Sequence, residues 1–322
     1  MRRFGKAIAI LSLMSVLLVV RPALVHAQGF SLGAFDQFGI LINSGVANAD
    51  VNTAPVNANI GVGNITGSLN LHNEQVNGVV DVYGGTSMIS NGAITGTQPA
   101  RLGGASPGGS AATINYNQST IVGAAISAAL NLSTTYGSYA SAATGLANLG
   151  TLNGNHAVSA TNGFKVSGTQ SYVFQATTLS IGNGNTLTIN GTSSQYVIID
   201  VTGNGNGSNL NGALTLTGGI TPDQVLINFT GSGGNVQGAA NGATLSGTFL
   251  IPYDTVQLNS LTINGHIFGG GSGTNFQFVS NAFISQPAIQ SAVPEPVSLT
   301  ILSVGVAGTL IARRRRRPVI RV

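Results

Sequence analysis

The chain has 322 residues, of which 46 are glycine and only 6% are charged, and it contains neither cysteine nor tryptophan. Its formal net charge is +4, but the cations concentrate at the two ends. Between residues 28 and 292 two cations stand against seven acids, a net charge of −5. This region therefore lacks the basic patch that a nucleic-acid binder needs. Without cysteine, a disulfide framework is excluded, and packing and backbone pairing must stabilise the fold.

The N-terminal segment has the pattern of a secretory signal peptide. A cationic stretch (residues 2–6) precedes an apolar run (residues 7–20), and a small-x-small triplet ends at Ala27, just before Gln28. This order predicts a signal peptide at residues 1–27, which signal peptidase would cut between Ala27 and Gln28. The pair Arg2-Arg3 leaves the twin-arginine export route open as an alternative.

Residues 28–290 form the body of the protein. Short runs rich in Val, Ile, Leu and Phe recur from about 30 to 104 and again from 156 to 283, roughly every ten residues, and Gly and Asn separate them. Short alternating segments between turn residues indicate β-strands. The regular spacing predicts a mainly β fold, a right-handed parallel β-helix (a β-solenoid). A β-sandwich, which also uses many short strands, is the alternative.

The interval of about 114–149 has a different period. Ala125, Ala129, Leu132 and Tyr136 recur at three- and four-residue spacing, which predicts one long amphipathic α-helix. Its glycine, serine and threonine residues make it a weak helix in isolation, so we expect it to pack alongside the solenoid.

Catalytic signatures are missing from the sequence. His72, His156 and His266 show no metal-ligand spacing, and the acids never form a close pair. The Gly-rich segments lack the lysine of a phosphate-binding loop. We therefore expect a protein that is not an enzyme, with no cofactor and no metal site.

Threonine pairs form the one candidate binding surface. Thr186 and Thr188, and likewise Thr215 and Thr217, place hydroxyl groups on one face of a strand. Stacked coils would join them into a flat array that orders water, as ice-binding faces do. The alternative is that exposed strand positions simply favour threonine. Two similar triplets begin at Thr178 and Ser260.

The C-terminal residues 291–322 combine three features in order. The motif Pro294, Glu295 and Pro296 comes first, and an apolar run (residues 297–312) follows. An arginine cluster ends the pattern: Arg313, Arg314, Arg315, Arg316 and Arg317. The apolar run is shorter than the ~20 residues that span a bilayer comfortably, and the arginines would keep its end cytoplasmic.

This order resembles the PEP-CTERM sorting signal of Gram-negative bacteria. The resemblance implies transient attachment to the inner membrane through the hydrophobic segment, recognition by an exosortase-type protease, and cleavage near the motif. The protein would then be released or attached outside the cell. An ordinary single-pass tail anchor is the alternative.

Loose, Gly-rich motifs lie in the body of the chain at residues 33–42, 61–65, 79–85, 245–253, 256–258 and 263–270. In these residues the body resembles the choice-of-anchor A family of exported bacterial proteins. The order of solenoid, helix and solenoid also resembles the ice-binding-like proteins, in which a long helix packs along an interrupted right-handed β-helix.

These observations together predict an exported structural or adhesive protein at the cell surface, associated with extracellular polysaccharide. An ice-binding or carbohydrate-binding module is the alternative, and a polysaccharide-active enzyme is the third reading.

Overall fold

Three ladders of parallel strands form the sides of a β-helix, and a single long α-helix lies against one of them. The computed structural model describes residues 29–52, 56–67, 69–72, 78–83, 88–90, 113–115, 118–142, 145–153, 155–279 and 283–285. All of them belong to one compact unit, Ala27–Pro287. The predicted signal peptide and sorting tail lie outside the described residues. No helix within the described ranges is long and apolar enough to cross a membrane.

Among the described residues, eight strands precede the helix and fifteen follow it. Those before it are β1 (Ile40–Ile42), β2 (Asn48–Asn52), β3 (Val56–Asn57), β4 (Ile60–Val62), β5 (Leu69–His72), β6 (Val79–Val82), β7 (Met88–Ser90) and β8 (Thr113–Asn115). Helix α1 is Ser119–Ala142. Those after it are β9 (Ala147–Asn148), β10 (Thr151–Asn153), β11 (His156–Ser159), β12 (Phe164–Lys165), β13 (Ser171–Ala176), β14 (Thr178–Ile181), β15 (Thr186–Asn190), β16 (Tyr196–Val201), β17 (Asn209–Leu210), β18 (Ala213–Thr217), β19 (Val225–Phe229), β20 (Asn235–Ile251), β21 (Thr255–Gly269), β22 (Asn275–Val279) and β23 (Phe283–Ser285). Short 3-10 turns occupy Gly33–Gln37, Ala160–Asn162 and Pro222–Gln224.

Most of the described coils contribute one strand segment to each ladder, and the long strands β20 and β21 bend through all three. The covered ladder, named for the helix upon it, stacks β9, β13, β16, β19, the ends of β20 and β21, then β1, β4, β6 and β8. The amide ladder stacks β10, β14, β17, the starts of β20 and β21, then β22, β2, β5 and β7. The threonine ladder stacks β11, β15, β18, the middles of β20 and β21, then β23 and β3.

The order of coils in space differs from their order in the chain. Strand β1 lies between β21 and β4, so Ile40 pairs with both Ile267 and Ile60. The chain thus starts in the middle of the stack and builds outward to β8. Helix α1 then returns it to β9, at the opposite end of the covered ladder.

The interior of the solenoid is filled by stacked apolar residues. On the covered ladder, Phe174, Ile199, Ile227, Phe249 and Ile267 pair in register from coil to coil, and all are buried. Alternate residues of a strand face opposite sides of the sheet. The alternating sequence pattern therefore places its apolar side chains in regular rows inside the solenoid.

A second core lies between the covered ladder and the helix. The outward residues Val173, Ile198 and Leu226 pack in one cluster with Ala125 and Ala129 of α1. Burial on both faces explains why every residue of β19 is buried and why all but Asn228 are apolar.

The predicted mainly β solenoid with one helix alongside is confirmed. The strand pairings are parallel except for β12 with β13, whereas the sandwich alternative requires antiparallel sheets. The helix occupies residues 119–142 of the interval predicted at about 114–149. Parts of the predicted interval on either side of the helix form strands instead, since residues 113–115 pair with β6 and residues 147–148 pair with β13.

Candidate functional site

The four threonines singled out in the sequence are brought together on the threonine ladder. Strands β15 and β18 pair so that Thr188 lies beside Thr215, Asn190 beside Thr217, and Thr186 beside Ala213. The alternate residues Leu187 and Leu214 are buried in the core, so the polar side chains point outward.

Hydrogen bonds fix these side chains across coils. The hydroxyl oxygens of Thr188 and Thr215 are 3.3 Å apart, and Asn190 Nδ2 donates to Thr217 Oγ1 at 3.0 Å. A hydroxyl has one donor and two acceptor positions, so each group keeps capacity for water. The array is therefore both ordered and available to solvent.

The array continues onto the long strands. Thr244 pairs with Thr262, and Ser246 pairs with Asn264. Ten outward positions on four adjacent coils define what we call the threonine face: Thr186, Thr188, Asn190, Ala213, Thr215, Thr217, Thr244, Ser246, Thr262 and Asn264. None of these ten side chains is charged, aromatic or long, so the face is flat. Its polar groups repeat about every 6.6 Å along a strand and about 4.8 Å between coils.

The two similar triplets divide between ladders. Thr178 and Ser180 lie on β14 of the amide ladder, because Ser180 pairs with Asn209. Ser260 occupies a corner of β21 with a φ of 51°, whereas Thr262 joins the threonine face. A shared sequence pattern therefore did not determine which ladder a segment joins.

The amide ladder carries a row of glutamine and asparagine side chains. Asn209, Gln237, Gln257 and Gln277 pair in register, and Asp50 continues the row. Gln257 donates to Gln277 Oε1 at 2.8 Å and accepts from Asn235 Nδ2 at 3.2 Å. Asn235, Gln257 and Gln277 therefore form a connected amide network across three coils.

A shallow groove of about 210 Å³ follows part of this row. It spans three coils and is lined by Asn209, Asn211, Gln237, Gly238, Ala239, Gln257 and Asn259. The amide oxygens of Asn209, Asn235 and Asn259 are buried and accept no hydrogen bond from any described residue. Native structures leave few buried polar atoms unsatisfied, because each costs roughly 1–3 kcal/mol.

A buried histidine lies between two acids near the 3-10 turn Gly33–Gln37. His266 Nδ1 lies 2.8 Å from the carbonyl oxygen of Phe38, to which it can donate. Its Nε2 lies 3.6 Å from Asp36 Oδ1 and 3.5 Å from Asp223 Oδ1. Partial burial raises the pKa of Asp36, His266 opposes that shift, and Asp223 adds to it. The ring of His266 is only 1% exposed, whereas the side chains of Asp36 and Asp223 are 48% and 44% exposed. The cluster therefore joins distant segments, and its imidazole is shielded from solvent.

Two further acids, Asp254 and Asp200, contact the backbone and the residues beneath the helix. Asp254 Oδ1 and Oδ2 accept the backbone N–H groups of Gly234 and Gly205 at 2.7 and 3.1 Å. Asp200 is buried beneath α1. In the described parts of the chain no three His, Asp or Glu side chains form a group suited to a metal ion.

Sequence reasoning missed the amide ladder, although a signal was present. Gln237, Gln257 and Gln277 are spaced by twenty residues, as are Asn235, Thr255 and Asn275. That interval is one full turn of the solenoid in this region. By contrast, the cluster of Asp36, His266 and Asp223 joins distant segments and leaves no local pattern.

The fold is similar to those of several solved ice-binding proteins. That of the Antarctic ascomycete Antarctomyces psychrotrophicus has 18% identity and a TM-score of 0.46, covering 81% of this chain and 100% of its own. A glycosylated ice-binding protein from an Arctic yeast has 14% identity and a TM-score of 0.49. The match covers 81% of this chain and 95% of the yeast protein. A domain of ice-binding protein 1 from Shewanella frigidimarina has 14% identity and a TM-score of 0.42, covering 80% and 97%. No family model and no curated protein matches the chain by sequence. Identities of 14–18% are too low to transfer a ligand.

Proposed function

We propose that the protein binds ice through its threonine face. The observation that supports this is the register of β15 and β18, which holds Thr188 beside Thr215 and Asn190 beside Thr217 on a flat, uncharged surface. Such a surface presents a two-dimensional repeat of hydrogen-bonding groups, with methyl groups beside the hydroxyls. Ordered water can adopt the repeat without meeting a charge or a bulky side chain.

The test is thermal hysteresis and ice-crystal shaping with the full chain. Thr188→Tyr and Thr217→Tyr place a ring above the flat face, so both should abolish hysteresis. The matched control is Thr151→Tyr, since Thr151 is exposed on the amide ladder. A wild-type protein that neither shapes ice nor shows hysteresis would contradict the proposal, as would full activity in both face variants.

We also infer that the protein is exported and sorted through its tail to the cell surface or beyond. The supporting observations are the pattern that ends at Ala27 and the order of Pro294-Glu295-Pro296, apolar run and arginines. Signal peptidase and an exosortase-type protease would be its processing partners, and the hydrophobic segment would hold it in the membrane before cleavage.

Intact-mass measurement of the exported protein tests this processing. The expected mass lacks residues 1–27 and the arginine cluster 313–317. A mature protein that retains Arg313 to Arg317 would instead be a tail-anchored membrane protein.

A further inference from the structure

We propose that the groove on the amide ladder is a second binding site, for a neutral polysaccharide. The proposal is independent of ice binding, because the groove and the threonine face lie on different ladders. It rests on the shape of the groove, on the amide side chains that line it, and on the unsatisfied amide oxygens of Asn209 and Asn259 among them.

The groove has the dimensions of a site for part of a chain molecule. It crosses three coils, from Asn209 through Gln237 to Gln257, which corresponds to about 10 Å. Its volume of about 210 Å³ is below that of sites that enclose a drug-sized ligand. An open groove of this size fits one or two units of a polymer that continues past both ends.

The lining selects hydroxyl groups. An amide side chain offers two donors and an acceptor, and adjacent hydroxyls of a sugar ring both donate and accept. Asn209 and Asn259 each have an amide oxygen that no described residue satisfies. A small rotation of either amide would let a ligand hydroxyl donate to it.

The lining of the groove favours neutral over acidic polymers. No residue that lines the groove is charged, so a polyanion would lose hydration of its charges without meeting a cation there. A neutral glucan has no such penalty.

The network preorganises the site. Gln257 sits between Asn235 and Gln277 and is hydrogen-bonded to both. Asn211 accepts the backbone N–H of Ala239 at 2.6 Å, which holds the groove wall. Side chains already fixed lose less entropy when a ligand binds.

Affinity electrophoresis of the full chain in native gels tests the proposal, with laminarin and dextran as neutral glucans and alginate as the acidic polymer. At least one neutral glucan should retard the wild type, and alginate should not. Gln257→Leu removes the central amide and should weaken retardation roughly tenfold. Ala239→Trp fills the groove but leaves the amides in place, and it should abolish retardation.

Thr188→Tyr on the threonine face is the matched control and should be retarded like the wild type. Circular dichroism confirms that each variant is folded. The proposal is overturned if neither neutral glucan retards the wild type, if alginate binds better than both, or if a folded Ala239→Trp variant binds unchanged.

Discussion

A buried cluster of three polar side chains, Ser133, Asn228 and Asp200, joins the helix to the solenoid by hydrogen bonds. Asn228 Nδ2 donates to Asp200 Oδ1 at 2.6 Å and to the carbonyl oxygen of Ser133 at 3.0 Å. The Ser133 hydroxyl donates to Asn228 Oδ1 at 2.6 Å. Burial raises the pKa of Asp200 to about 7, although the hydrogen bond from Asn228 opposes the shift. The carboxyl group is therefore neutral in the folded protein over a pH range in which it is ionised in the unfolded chain.

This pKa predicts that stability falls as pH rises. Between the unfolded value of 3.8 and about 7 the folded state binds more protons than the unfolded state. The free energy of unfolding must therefore decrease across that window and level off above it. Asp200→Asn should remove this contribution to the pH dependence of stability. The contribution is about 1.4 kcal/mol for each unit by which the folded pKa exceeds the unfolded pKa.

Denaturant unfolding of the wild type and Asp200→Asn from pH 4 to pH 8 measures this difference. The stability of the variant relative to that of the wild type should increase as the pH rises. Parallel curves for the two proteins would show that Asp200 is not the group responsible.

At the scale of elements, helix α1 shows what the sequence pattern could and could not provide. The three- and four-residue spacing of Ala125, Ala129 and Leu132 predicted a docked helix, and all three are buried. The helix ends were not predictable, because pairing of 113–115 and 147–148 with distant strands overrides the local pattern. Helix limits of this kind are set by tertiary contacts.

The close approach of α1 to the covered ladder predicts sensitivity to side-chain size. Ala129 is fully buried in the cluster that contains Val173 and Ile198. Ala129→Leu should therefore lower the free energy of unfolding by about 1–3 kcal/mol through overpacking. Asn131→Leu, at an exposed position of the same helix, should change it by less than about 0.5 kcal/mol. Equal effects of the two substitutions, measured by thermal unfolding, would contradict this packing.

The positions of the threonine pairs in the fold were only partly predictable from the sequence. The i and i+2 spacing placed Thr186 and Thr188 on one strand face, and the structure brings them beside β18. The same spacing at Thr178 and Ser180 leads to the amide ladder. Spacing determines the face of a strand, whereas the ladder depends on how many residues each corner uses.

At the scale of the whole molecule, the three ladders have different surfaces. One is covered by α1, one presents hydroxyl groups, and one presents amides. The solenoid class followed from the regular strand spacing. The order of coils did not, because Ile40 pairs with Ile267 across most of the chain and no local pattern records that contact.

We infer that the two open ladders are separate binding surfaces, and one paired measurement tests this inference. Thr188→Tyr and Ala239→Trp are each assayed for adsorption to a growing ice hemisphere and for retardation by neutral glucan. We expect Thr188→Tyr to lose only ice adsorption and Ala239→Trp to lose only glucan binding. If each folded variant lost both activities, or neither, the two ladders would not be separate binding surfaces.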